Sequence, residues 1–294
     1  MSKNIQTTAI HLIGPRASGK TTYLAILTYF PQRKFLNIKY PGLDVSYDQG
    51  SDAEKLVRMV EDMIKPGMNV AGTPKLKVEQ LPYYYLRMNI PAMKGTPAAN
   101  FEIIFRDLAG EIFENFSIAH RWSQVQPYLE DLFTATSWMV MLTDFQPDRD
   151  TRIYKPAFEK LCQEISEREE INPEIKNLRI AIVMSKCERG EIWPGRLEPD
   201  EDLFKVRLPK TYSFLNRRFP ERTNRLRFFA CSSFGVLNAS RDNFDPRPNR
   251  RIPDVGAPSE YTARLRDAQK WQPYGLISPI YWLTTGKILN DPIL

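Results

Sequence analysis

Residues 14–21 of the chain read GPRASGKT, and this stretch decides the fold. An apolar run at 8–13 precedes it and a helical pattern over about 20–30 follows it. The pattern G-x-x-x-x-G-K-[ST] between a strand and a helix is typical of a phosphate-binding loop, the Walker A motif. Its defining positions are Gly14, Gly19, Lys20 and Thr21.

The residue types in this loop suit phosphate chemistry. Glycines permit a tight backbone path that points successive N–H groups inward, and the start of the next helix adds positive partial charge. Lys20 is expected to reach the β- and γ-phosphates, and the Thr21 hydroxyl is expected to coordinate Mg²⁺. The alternative is a chance glycine turn before a helix. We expect a nucleoside triphosphate to contact Gly14, Pro15, Arg16, Ala17, Ser18, Gly19, Lys20, Thr21 and Thr22.

The composition excludes several classes of protein. Of 294 residues, 42% are hydrophobic and 26% are charged. The sequence contains no run of 18 apolar residues, so no transmembrane helix is predicted. The three cysteines and two histidines lack metal-ligand spacing, so we expect reduced thiols and a cytoplasmic location. The net charge of +6 is scattered along the chain, so nucleic acid is not an expected partner.

Apolar runs alternate with helical patterns along the chain. This alternation predicts an α/β fold with a mostly parallel central sheet flanked by helices. Further strands are expected near 35–39, 83–90, 101–105, 137–142, 178–184 and 226–231, and helices near 52–64, 121–133, 155–168, 202–218 and 279–287.

We expect one P-loop NTPase domain over 1–294 with two insertions. The first covers about 31–82. The second covers about 236–270, is rich in Pro, Asn, Arg and Asp, and is predicted to be a long surface loop or partly disordered. The C-terminal helix at about 279–287 is expected to dock back on the sheet.

A second phosphate element is DLAGE, residues 107–111. The apolar strand FEIIF delivers Asp107 beside the first strand, where a carboxylate can hold Mg²⁺ through water, and the Gly110 N–H can reach the γ-phosphate. By strand alternation, Arg106 should point away from that carboxylate. Alone, D-x-x-G equally fits a helix cap or a surface turn. After a buried strand and a Walker A loop it indicates a nucleotide site.

Two short motifs follow later strands: SKCE at 185–188 and CSSFG at 231–235. With them, the order of motifs over about 8–235 resembles the Ras-like P-loop GTPases of the TRAFAC class. The resemblance implies a Ras-like topology, GTP or GDP with Mg²⁺ as ligands, and a protein effector or activating partner. It assigns base contacts to Ser185, Lys186, Glu188, Ser232 and Ser233.

The residues of SKCE (185–188), which matches the guanine-binding motif of the family, fit guanine with two departures from the family pattern. A carboxylate at 188 can accept hydrogen bonds from the guanine N1–H and exocyclic amine, a donor pair that adenine lacks, and the Lys186 stem can lie along the purine. Glu188 replaces the usual Asp, which moves the carboxylate by about 1.5 Å, and Ser185 replaces Asn or Thr. Alternatively, Glu188 is an exposed carboxylate in the charged run CERGE.

Hydrolysis depends on groups near the γ-phosphate. Thr73 is the expected switch threonine and a metal ligand with Thr21 and Asp107, although a plain loop residue beside Pro74 is an equal alternative. Ras-like enzymes commonly place Gln where this chain has Glu111, which cannot donate a hydrogen bond. Arg16 either supplies positive charge in cis or faces solvent. Lys20, Glu111 and Arg16 are therefore the catalytic candidates, and we predict slow or partner-stimulated turnover.

The opening GPRASGKTTYLAIL (14–27) and the ending WQPYGLISPIYWL (271–283) resemble bacterial double-GTPase-related proteins of conflict and defence systems. The leading interpretation is a GTP-hydrolysing, nucleotide-dependent switch in such a system. A non-hydrolysing nucleotide-binding adaptor and a P-loop ATPase or kinase stay open as alternatives.

Overall fold

The computed structural model describes residues 6–29, 41–64, 77–92, 96–144, 146–240, 242–251 and 264–289. The strand predicted near 35–39 and the candidate metal ligand Thr73 lie outside these residues.

A seven-stranded sheet forms the centre of the molecule, in the order β2-β3-β4-β1-β5-β6-β7. Its strands are β1 (Gln6–Ile13), β2 (Asp44–Ser46), β3 (Tyr83–Ile90), β4 (Ala99–Asp107), β5 (Ser137–Leu142), β6 (Arg179–Met184) and β7 (Leu226–Ala230). β4, β1, β5, β6 and β7 run parallel, while β3 is antiparallel to β4 and β2 is antiparallel to β3. The predicted α/β fold with a mostly parallel sheet is therefore confirmed.

Helices cover both faces of the sheet. They are α1 (Lys20–Tyr29), α2 (Asp52–Ile64), α3 (Gly110–Phe116), α4 (Trp122–Leu132), α5 (Lys155–Ile171), α6 (Lys205–Arg207), α7 (Pro209–Arg218) and α8 (Ser278–Thr285). α1, α2 and α8 pack on one face, and α3, α4, α5 and α7 pack on the other. All six residues of β5, SWMVML, are buried. This burial on both faces explains the unbroken apolar run that predicted the strand.

In the part of 236–270 that the structure describes, the predicted loop contains two short antiparallel strand pairs. β8 (Val236–Asn238) pairs with β9 (Asp245–Pro248), and β10 (Arg250–Arg251) pairs with β11 (Arg264–Leu265). Asn249 is 0% exposed, and its side chain accepts the Asp267 N–H and donates to the Asp267 carbonyl. Side-chain hydrogen bonds to the backbone hold this segment, and an apolar pattern cannot reveal them.

Two other elements differ from their predictions. The first insertion adds β2 to the edge of the sheet, where no strand was predicted. The single helix predicted at 202–218 is instead a π-helical turn at Pro199–Phe204, then α6 and α7. The break falls at Pro209, because proline has no N–H to continue the helical hydrogen bonds.

The sheet places the predicted motifs together. The loops that follow β1, β4, β5, β6 and β7 all leave the same edge of the sheet, since these strands run parallel. Ligands of open α/β sheets bind at this carboxyl edge. Among the described helices, none combines the length and apolar character needed to cross a bilayer.

Candidate nucleotide-binding site

Gly14 begins the phosphate loop where it passes the neighbouring strand. Its φ is +143°, and a Cβ at this position would lie 2.1 Å from the Met141 carbonyl oxygen of β5. A side chain is therefore excluded on both conformational and steric grounds. The loop then reaches α1 through Gly19, whose φ is +87°.

Lys20 is buried at the start of α1 and folds back on the loop. Its Nζ donates to the carbonyls of Gly14 at 3.0 Å and Pro15 at 3.3 Å. Burial lowers the pKa of Lys20, although the charges of Asp107 and Glu114 act in the opposite direction. The loop therefore holds a buried cation that an added anion, such as a phosphate group, would stabilise.

Thr21 and Asp107 are in direct contact. The Thr21 hydroxyl donates to Asp107, with 2.8 Å between Oγ1 and Oδ2. The register of β1 and β4 sets this contact by placing Leu12 opposite Asp107. Hydroxyl and carboxylate oxygens are the hard ligands that Mg²⁺ prefers, so this pair fits the predicted ion.

Arg106 points to the other side of β4, as predicted. Its Nε lies 2.7 Å from Asp131 Oδ2, and its guanidinium lies 4.2 Å from the centre of the Tyr83 ring. Because side chains alternate along a strand, Asp107 faces the phosphate loop and Arg106 does not.

The start of α3 packs against the phosphate loop. A Cβ on Gly110 would lie 2.3 Å from the Arg16 backbone nitrogen, so glycine permits this close approach. The Arg16 N–H donates to Glu114 Oε1 at 3.2 Å. The second phosphate element therefore touches the first through the backbone.

Two of the three catalytic candidates, Arg16 and Glu111, form an ion pair with each other. The Arg16 side chain is 50% exposed, so it lies at the surface of the loop. From the sequence, Arg16 either supplies positive charge to the phosphates in cis or faces solvent. In the structure its positive charge is directed to Glu111. Neutralising Glu111 in this way also reduces the repulsion between its carboxylate and a γ-phosphate.

Glu188 is buried at the end of β6, with 1% of its surface exposed. The Ser232 hydroxyl donates to Glu188 Oε2 at 2.7 Å. Glu188 Oε1 is buried and has no hydrogen-bond partner among the described residues. The alternative of an exposed carboxylate in a charged run is therefore wrong.

Ser185 and Lys186 both lie against the phosphate loop. The Ser185 hydroxyl has the Ser18 carbonyl at 2.6 Å and the Leu142 carbonyl at 3.0 Å as acceptors. Lys186 adopts φ +61°, and its Cε lies 3.9 Å from where a Cβ on Gly19 would stand. Ser185 thus joins β6 to the loop, and the Lys186 stem lies over the loop glycine.

The remaining predicted contacts surround these groups. The Ser233 carbonyl accepts a hydrogen bond from Trp271 Nε1 at 2.9 Å. Thr22 is half-buried in the first turn of α1, and Ala17 adopts φ +58° in the loop.

Sequence reasoning did not predict a role for Arg250 or for Phe234 of the CSSFG segment. The Arg250 guanidinium lies 5.9 Å from the centre of the Phe234 ring. Burial lowers the pKa of Arg250, while the charge of Glu188 raises it. Arg250 was assigned to a surface loop, and no local pattern marks its approach to Glu188.

No protein-family model matches this chain, and no curated protein does. Among solved structures, the chain is similar to the GTP-bound Ski7 GTPase-like domain of S. cerevisiae, with 15% identity over 97% of this chain and 52% of that one, at a TM-score of 0.41. It is also similar to a GDP- and aluminium-fluoride-bound Era variant of Aquifex aeolicus, with 15% identity over 78% and 52% of the chains, at a TM-score of 0.31.

A third similar structure is Sup35 complexed with GDP, with 11% identity over 78% of this chain and 38% of that one, at a TM-score of 0.32. The chain therefore spans about half, or less, of the length of these three proteins. The assignment of the fold rests on the chain's own sheet order and on the phosphate loop between β1 and α1.

Proposed function

We propose that the chain binds GTP or GDP with Mg²⁺ and acts as a nucleotide-dependent switch. One observation supports this function above the others. Glu188 Oε1, a buried carboxylate oxygen with no hydrogen-bond partner among the residues that the structure describes, lies at the same sheet edge as the phosphate loop. A buried unpaired acceptor costs free energy that a ligand with N–H donors would recover.

The phosphates would bind to the loop and to the start of α1. Lys20 would exchange the carbonyls of Gly14 and Pro15 for phosphate oxygens, which neutralise its buried charge. Thr21 and Asp107 would hold Mg²⁺, which supplies neutralisation of charge on the β- and γ-phosphates when bound. Gly110 would offer its N–H to the γ-phosphate from the start of α3.

The base would bind Glu188 through its donors. Guanine presents N1–H and an exocyclic amine side by side, whereas adenine presents no such pair. Ser232 fixes the carboxylate by its hydrogen bond to Oε2. The Lys186 stem lies beside the loop, where it would pack along the purine.

Hydrolysis would be slow or depend on a partner. Glu111 is paired with Arg16, so neither group is directed at an attacking water. A protein that removed Arg16 from Glu111, or added its own positive charge, would raise the rate. The contact between α3 and the loop is the element that a γ-phosphate would change.

Equilibrium binding of GTP and ATP in the presence of Mg²⁺ tests the base assignment. We expect GTP to bind more tightly, and tighter ATP binding would instead support a P-loop ATPase or kinase. Lys20→Ala should abolish triphosphate binding without unfolding the chain, while the exposed Lys55→Ala control should bind normally. Normal binding by Lys20→Ala would refute the phosphate site.

The ion pair between Arg16 and Glu111 also favours a second function, a nucleotide-binding adaptor that does not hydrolyse. Single-turnover hydrolysis of bound GTP separates the two. Product that forms slowly supports the switch, whereas retained GTP without product over hours supports the adaptor.

The resemblance of 14–27 and 271–283 to conflict-system GTPases supports a further proposal, a role in bacterial defence. Cells that carry the chain should resist a challenge such as phage infection, and cells that carry Lys20→Ala should not. Equal survival of the two would count against this role.

A further inference from the structure

Guanine presents two different edges, and Glu188 can read only one of them. The N1–H and exocyclic amine are donors, while O6 and N7 are acceptors. A carboxylate accepts hydrogen bonds and cannot donate them, so the O6 and N7 edge needs a donor from elsewhere. The Ser185 hydroxyl has one proton, and the carbonyls of Ser18 and Leu142 already accept it.

A short series of hydrogen bonds links Asn249, the residue before Arg250, to Glu188. The Asn249 N–H donates to the Gly235 carbonyl at 2.9 Å. The Gly235 N–H donates to Ser232 Oγ at 2.8 Å, and that hydroxyl donates to Glu188. The segment that carries Arg250 is thus joined to the loop that orients the carboxylate.

Glu188 is buried, Arg250 is half-buried, and neither has all of its hydrogen-bonding atoms satisfied within the described residues. Arg250 Nε, like Glu188 Oε1, has no hydrogen-bond partner within the described part of the chain. The two charges act on each other, since Glu188 raises the pKa of Arg250 against the effect of burial. The Phe234 ring lies 5.9 Å from the Arg250 guanidinium, so an aromatic side chain lies beside this charge.

We propose that Arg250 is a second specificity-determining residue, which donates to O6 and N7 of a guanine whose N1–H and amine bind Glu188. This inference rests on the proposed function. An arginine fork matches the O6 and N7 pair of guanine, whereas adenine places an amine donor beside N7. Glu188 and Arg250 together would recognise both edges of guanine, although SKCE departs from the family pattern.

Nucleotide analogues can separate the two edges. 7-Deaza-GTP lacks the N7 acceptor that Arg250 would contact, and ITP lacks the amine that Glu188 would contact. We expect wild-type protein to bind both analogues more weakly than GTP. Arg250→Met should lower the GTP affinity by about 5- to 150-fold, the range for a bidentate arginine–guanine contact. It should also remove the penalty against 7-deaza-GTP and keep the penalty against ITP.

Two further variants complete the measurement. Arg250→Lys keeps the positive charge but not the planar fork, so it should stay folded and show a smaller discrimination against 7-deaza-GTP than the wild type. The exposed neighbour Arg251→Met should bind all three nucleotides as the wild type does. Thermal unfolding of each variant shows whether it is folded.

The outcomes distinguish this inference from the proposed function. One result would refute the role of Arg250 and leave the proposed function standing. Wild-type protein would prefer GTP over ATP, while both Arg250→Met and Arg250→Lys would keep the wild-type affinities for GTP and 7-deaza-GTP. If wild-type protein shows no preference for GTP over ATP, the proposed function fails and this inference fails with it.

Discussion

The hydroxyl of Thr21 donates a hydrogen bond to the carboxylate of Asp107, with 2.8 Å between the two oxygens. The residues are 86 positions apart in sequence, and the pairing of β1 with β4 brings them together. Asp107 is 0% exposed, so water screens its charge little inside the site. This contact joins the two phosphate elements in one place.

Asp107→Asn should weaken the dependence of nucleotide binding on Mg²⁺. Removing a carboxylate that orients a bound metal typically costs about 10–100-fold in metal affinity. We expect EDTA to lower GTP affinity strongly in the wild type and only slightly in the variant, as measured by titration calorimetry. Asp148→Asn is the control, because that carboxylate lies at the surface. An equal effect of EDTA on wild type and Asp107→Asn would contradict the assignment.

Gly110→Ala should separate α3 from the phosphate loop. The new Cβ would lie 2.3 Å from the Arg16 backbone nitrogen, so the backbone itself must move. Overpacking of this kind lowers the free energy of unfolding by about 1–3 kcal/mol. Gly190→Ala is a matched control, because no atom lies within 4 Å of its added Cβ. Chemical denaturation compares the two, and equal stabilities would show that the α3–loop contact is loose.

Glu111→Gln should speed GTP hydrolysis. The amide can both donate to and accept from water, and the change breaks the ion pair with Arg16. We expect the single-turnover rate to rise about tenfold or more, because a side chain that is positioned on the attacking water accelerates the reaction. Glu167→Gln, at an exposed position of α5, should leave the rate unchanged. A Glu111→Gln rate equal to that of the wild type would remove Glu111 from the mechanism.

Stability should fall in mild acid because of His11. Burial and the charge of Arg106 lower the pKa of His11 from its ordinary value of 6.5 to about 4. Between these values the unfolded chain binds the proton and the folded chain does not, so stability is lost as the pH falls from about 6.5 to about 4. The full effect is about 3 kcal/mol, at 1.36 kcal/mol for each pKa unit.

Asp131 faces His11 at 3.7 Å and acts in the opposite direction. Burial raises the pKa of Asp131, so its protonation favours the folded state at the acid end of this window. Denaturation of His11→Phe at several pH values should show a smaller loss of stability below pH 6.5. The exposed His120→Phe should keep the wild-type loss. Parallel curves for wild type and His11→Phe would exclude His11 as the cause.

Local patterns predicted the elements whose burial is periodic or continuous. α2 spans the predicted residues 52–64 because its apolar side chains recur at helical spacing, and β5 was visible as a run buried on both faces. The Walker A loop and DLAGE were recognisable because each needs glycine where the backbone passes close to another segment.

Long-range contacts could not be predicted from the sequence. CERGE looks exposed, yet Glu188 is buried and accepts a hydrogen bond from Ser232, 44 positions away. The pairing of Arg16 with Glu111 spans 95 positions, and neither residue carries a local sign of it. The β10–β11 pair depends on Asn249 and Asp267, whose polar character alone suggested a loop.

The measurement that tests the base assignment most directly is the binding of GTP and XTP to Glu188→Gln. Xanthine carries a carbonyl oxygen where guanine carries the exocyclic amine, so an amide at 188 can donate to it where a carboxylate would be repelled. We predict that wild-type protein binds GTP more tightly than XTP and that Glu188→Gln reverses this order. Unchanged affinities for both nucleotides in Glu188→Gln would contradict the account, because Glu188 would then not contact the base.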